Sequence, residues 1–85
     1  MTRTKILMEA CKIINGSREH GTPENNFALI AQLWSGYLGT KVTARDVALM
    51  MALLKIARAK TGHYCEDSYI DLCGYGAIAG EMGTV

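Results

Sequence analysis

The chain has 85 residues, 49% hydrophobic and 20% charged, with a formal net charge of +1. One independent core needs roughly 50 residues or more, so this length holds a single domain and excludes a large enzyme fold. The apolar content is too high for a disordered tail, and residues 1–85 read as one compact all-α domain.

The first predicted helix covers residues 4–15, where Ile6, Ala10, Ile13 and Ile14 recur at helical spacing beside Leu7 and Cys11. Asn15 and Gly16 end it. A polar loop from Ser17 to Gly21 follows. Thr22, Pro23 and Glu24 then supply a cap, a proline suited to the first helical position and an acid in the first turn. The second helix has Phe27, Ile30, Leu33, Trp34, Tyr37 and Leu38 as its apolar face, with Trp34 as a core anchor and Gly39 as its end.

Thr43 and Asp46 form a capping-box pattern opening a third helix over residues 44–60, uncharged on every side from 47 to 54. Such a helix is central to a bundle or shared with a second chain. Gly62 ends it, and a fourth helix begins at residues 65–68 with Ile70, Cys73, Ala77 and Ile78 as its apolar positions. Gly74, Gly76 and Gly80 each weaken that helix by roughly 1 kcal/mol relative to alanine, which predicts close backbone approach to a neighbour. The fold expected is a bundle of about four helices, completed by a second copy because so short a chain buries its apolar surface incompletely.

The longest apolar run, residues 47–54, is far short of the roughly 20 needed to cross a bilayer, so no membrane partner is expected. Glu9 and Lys12 interrupt the first apolar stretch before it could serve a signal peptide, which predicts a cytoplasmic protein. Cys11, Cys65 and Cys73 lack paired spacing and read as reduced thiols, Cys11 and Cys73 within the core. All nine lysines and arginines fall in residues 1–60, and only acids follow. An acidic last helix docked on a basic neighbour leaves no broad basic face for duplex nucleic acid.

Asp67 and Asp71 stand one turn apart, a spacing that suits a divalent cation such as Mg²⁺ and that needs positive charge opposite. Lys55 and Arg58, near the end of the third helix, are the candidates. Two readings stand together: a salt-bridge cluster across a helix hairpin, or a phosphate site on Lys55 and Arg58 with a metal on the aspartates. The loop places Arg18 and His20 just before a helix start whose free amides attract anions, and Asn26 lies in that first turn. No phosphate-binding glycine loop and no nucleophile elbow occur, so covalent catalysis is not expected.

Several stretches carry a resemblance over nearly the whole chain. They are Ser17-Arg18-Glu19-His20-Gly21-Thr22-Pro23-Glu24-Asn25-Asn26-Phe27, Leu33-Trp34-Ser35-Gly36-Tyr37-Leu38-Gly39, Asp46-Val47-Ala48-Leu49-Met50-Met51, Leu54-Lys55-Ile56-Ala57-Arg58, and Asp67-Ser68-x-x-Asp71-x-x-Gly74-Tyr75. With them the chain resembles a family of short phage and prophage proteins of unknown function. Family members usually have a tyrosine where this chain has His20. The family is in turn distantly similar to the all-α MazG-like nucleotide pyrophosphatases, which hold Mg²⁺ on Glu-x-x-Glu and Glu-x-x-Asp pairs. Asp67 and Asp71 correspond to the second pair only; Glu24 and Asp46 are the nearest acids to complete a metal shell.

Three functions follow from residues and resemblance together. The one favoured is a phage protein of the host cytoplasm that binds a nucleotide or other phosphate-bearing ligand without catalysis, on Arg18, His20, Asn26, Lys55, Arg58 and Tyr75. The others are a Mg²⁺-dependent pyrophosphatase using Asp67 and Asp71, and an inhibitor that binds a host defence protein. Incomplete carboxylates favour the non-catalytic classes, because two-metal phosphoryl chemistry needs several converging acids. No cofactor is required by the favoured reading.

Overall fold

The computed structural model describes residues 1–16 and 21–83. Four helices account for the fold: α1 (Arg3–Ile14), α2 (Pro23–Leu38), α3 (Ala44–Lys60) and α4 (Glu66–Met82). Among the described residues there is no strand, and no helix is long and apolar enough to cross a membrane.

Local chemistry sets the boundaries. Thr2 caps α1 by accepting the Lys5 amide at 3.2 Å, and Thr22 caps α2 by accepting the Asn25 amide at 3.2 Å. Gly39 ends α2 in the left-handed region, at φ 72°, which an L side chain adopts only with strain. The α3 capping box is complete: the Thr43 hydroxyl accepts the Asp46 amide at 3.0 Å, and the Asp46 carboxylate accepts the Thr43 amide at 3.0 Å. These bonds favour the ionised carboxylate and hold Asp46 below the ordinary aspartate value. α4 begins after Cys65 without a side-chain cap; Glu66 and Asp67 instead place negative charge at its positive end.

The helices pack in the spatial order α1, α4, α3, α2, so the first helix joins the last. α3 and α4 form the most extensive pair and share the middle of the bundle, so α3 is one of two inner helices rather than its sole centre. One backbone clasp fixes the turn into α3: the Ser35 hydroxyl accepts the Val42 amide at 2.8 Å and donates to the Val42 carbonyl at 3.2 Å. Phe27 reaches across from α2 to Tyr75 of α4, ring centroids 6.1 Å apart.

The core is small and built largely of alanine. Its buried apolar members are Ala10, Ala31, Val47, Ala48, Ala52, Ile70 and Ala79, and Val47 is the large side chain that is completely enclosed. Several expected core positions are therefore corrected. Cys11 is exposed and Cys73 half-buried, because Ala10 occupies the line along which α1 meets α4. Trp34 is half-buried rather than a core anchor, and Leu33, Tyr37 and Leu38 are exposed. Helical spacing identifies an apolar helix, but α2 packs on α3 along a narrow line of small residues including Ala31, so only part of its apolar surface is covered.

The glycines of α4 also divide. A β-carbon at Gly74 would stand 3.2 Å from Cγ2 of Ile14, so the predicted close approach is real there and lets α1 lie against α4. At Gly76 and Gly80 a β-carbon would meet nothing within 4 Å, and the approach predicted for them is not made among the described residues.

Candidate functional site

Three of the sequence candidates, Lys55, Asp71 and Tyr75, lie close together where α3 meets α4. Lys55 projects from α3 toward α4, where its Nζ lies 2.9 Å from Oδ2 of Asp71. The lysine side chain is 13% exposed and the aspartate 33%, so the pair is shielded on the lysine side and open on the aspartate side. The pair spans α3 and α4, the two most extensively packed helices. Asp67, one turn earlier on α4, is exposed, as is Arg58, one turn later on α3.

Asp71 also lines a cleft of about 100 Å³ between α1 and α4, with Ala10, Ile13, Ile14, Ile70, Gly74 and Tyr75. Its walls are aliphatic, with one carboxylate and one phenol as polar groups. Ile14 separates it from a second cleft of about 200 Å³, lined also by Asn15, Pro23, Glu24, Ala77, Ile78 and Glu81. Ile14 is a wall of both, so the two clefts adjoin as a groove along α1 and α4, with Asp71 in the first cleft and Glu24, in the first turn of α2, in the second.

Other candidates take different places. Asn26 is half-buried in the first turn of α2, with Oδ1 3.5 Å from where a β-carbon would stand at Gly21, so its side chain turns back toward the preceding loop. Arg18 and His20 lie outside the described residues. Asp46, expected as a spare acid, is committed to the α3 cap, so it is not available to complete a metal shell. Among the described residues no group of three or more His, Cys, Asp and Glu side chains is arranged to hold a metal ion.

The whole of this groove falls inside a region shared with other proteins. The family model for a domain of unknown function, DUF6378, matches residues 5–83. The chain belongs to this family. Among its relatives, the Gene 55 protein of Mycobacterium phage D29 is 47% identical over 72 residues, which cover 82% of this chain and 48% of the relative. The Gene 55 protein of Mycobacterium phage L5 is 42% identical over 80 residues, covering 91% and 51%. The chain thus spans about half the length of these curated relatives. No solved structure matches it. The expected kinship with phage proteins of unknown function is met.

Within this DUF6378 chain, sequence reasoning found Lys55, Asp71 and Tyr75 but missed two features of the groove. Glu81 shares the second cleft with Glu24 although the two are far apart in the chain. Phe27 supports the Tyr75 ring from α2. The signal for both was weak, since Glu81 follows Gly80 in a glycine-weakened helix end and Phe27 read as an ordinary core residue.

Proposed function

We propose that this phage-type protein binds a small phosphate-bearing ligand, a nucleotide, in the groove along α1 and α4 and does not turn it over. The observation that carries the reading is the junction of an aromatic ring, an aliphatic wall and a shielded ion pair: Tyr75 and Asp71 line one cleft, and Lys55 stands behind Asp71 at 2.9 Å. An aromatic ring beside aliphatic surface suits a base, and a lysine held by a carboxylate can exchange that partner for phosphate oxygens. Arg18 and His20 are the further phosphate contacts in this proposal.

Glu24 and Glu81 in the adjoining cleft repel a free polyanion, so the form best accommodated is a nucleotide carrying Mg²⁺. The kinship with phage proteins makes sequestration of a signalling nucleotide the role such a site would serve. The acids at hand, with Asp46 committed elsewhere, are fewer than two-metal hydrolysis uses.

The test is a thermal-shift panel of nucleoside triphosphates and cyclic dinucleotides, each with and without Mg²⁺. A ligand at 100 times its dissociation constant should raise the melting temperature by about 10 °C or more in a domain this small. Tyr75→Ala should abolish the shift. A panel with no response refutes ligand binding, and release of monophosphate or pyrophosphate from any member refutes the non-catalytic assignment.

A further inference from the structure

The solitary chain has too much surface for its mass. Its accessible area is 6069 Å², whereas a folded monomer of 9.3 kDa exposes about 5,000 Å². Its radius of gyration is 13.5 Å, against about 12 Å for a globule of this length. The surplus of about 1,100 Å² exceeds the roughly 800 Å² that each partner contributes to a standard protein interface.

Exposed apolar side chains are most numerous on α2 and α3, with a smaller set, Leu7, Met8 and Ile13, on α1. Leu29, Leu33 and Tyr37 lie four residues apart along α2 and are 56%, 63% and 90% exposed, on the side turned away from buried Ala31. On α3, Met50 and Leu53 are 41% and 63% exposed, on the side turned away from buried Ala48 and Ala52. α2 is the least supported helix, since its extensive packing is on α3 alone. Glu24 is the one charged residue among the 16 of α2, and residues 47–54 of α3 have none. Exposed faces of this kind on a folded protein mark an interaction surface.

We infer that two copies of this chain associate through the outer faces of α2 and α3, burying Leu29, Leu33 and Tyr37 with Met50 and Leu53. A second copy fits because the faces are uncharged and the chain is nearly neutral, at +1, so bringing like to like meets little repulsion. Two-fold pairing presents the same patch from both sides and makes a four-helix layer of two α2 and two α3 helices. The Lys55–Asp71 groove along α1 and α4 stays open in this arrangement, so the inference stands independently of the ligand proposed for it.

Sedimentation velocity on the full chain decides the matter. The wild-type protein should run at twice its 9.3 kDa mass at micromolar concentration. Leu33→Glu removes two leucines per dimer from the interface and should weaken association roughly 100-fold or more. Leu7→Glu, at an exposed apolar position of α1, should leave the dimer intact. If dissociation also unfolds Leu33→Glu, the wild-type melting temperature still reports, because it rises with protein concentration for a dimer and stays fixed for a monomer. A wild-type monomer, a dimer that Leu33→Glu leaves unchanged, or a dimer that Leu7→Glu disrupts would each overturn the assignment.

Discussion

Breaking the Lys55–Asp71 pair should cost very different amounts from its two sides. The lysine is 13% exposed and the aspartate 33%, at a separation of 2.9 Å. In Asp71→Ala the ammonium keeps its shielded position and loses its counter-charge with little water to replace it, a penalty of about 2 to 3 kcal/mol. In Lys55→Met the buried charge is gone while the aliphatic stem is retained, and the remaining carboxylate is open enough to hydrate, so the loss is about 1 kcal/mol or less. In a domain of this size those values correspond to melting-temperature losses of about 10 °C or more for Asp71→Ala and about 5 °C for Lys55→Met. Circular dichroism melts at one fixed protein concentration and neutral pH would measure both. Equal losses, or a larger loss for Lys55→Met, would refute the reasoning, because they would mean that burial of the lysine does not set the energetics of the pair. The same variants bear on function: a purely structural pair predicts that nucleotide-induced stabilisation survives in whichever variant folds, whereas a ligand site predicts its loss.

Other perturbations test separate parts of the fold. Asp46 is held below the ordinary aspartate value by its cap bonds, so its stabilising effect is fully present above about pH 4 and fades as pH falls through the lower folded value; acid titrations should show that component removed in Asp46→Asn. Ser35→Ala leaves the half-buried Val42 amide and carbonyl without their clasp and should destabilise the chain by about 1 to 3 kcal/mol in urea unfolding. Gly76→Ala, in open space on α4, should stabilise by up to about 1 kcal/mol through helix propensity. Gly74→Ala should lose that gain or reverse it, because its methyl would press on Ile14; an equal gain at both glycines would contradict the close α1–α4 approach.

Much of the local structure was legible because it is written in short-range chemistry. Thr22-Pro23, the Thr43 and Asp46 box, and Gly39 each satisfy or terminate backbone bonds within a few residues, so the observed bounds of α2 and α3 match those the residues dictate. The site was partly legible: one turn between Asp67 and Asp71 demands a cation nearby, and Lys55 supplies it for Asp71. The meeting of Glu81 with Glu24 was not legible, because it depends on α4 running beside the start of α2.

The sequence by itself determined that this is an all-α chain with four helices and a third helix that is apolar all round from residue 47 to 54. Helical periodicity, caps and glycines act over one or two turns, and such information survives in the order of the residues. Tertiary structure alone decided which apolar positions are covered: alanines form the core while Leu33, Tyr37 and Leu53 face outward. Periodicity reports that a helix has an apolar side, but coverage depends on how closely the neighbouring backbone approaches, and small residues along the seams brought the helices together on their narrowest lines. That geometry leaves the apolar surplus on α2 and α3 that length alone had only suggested.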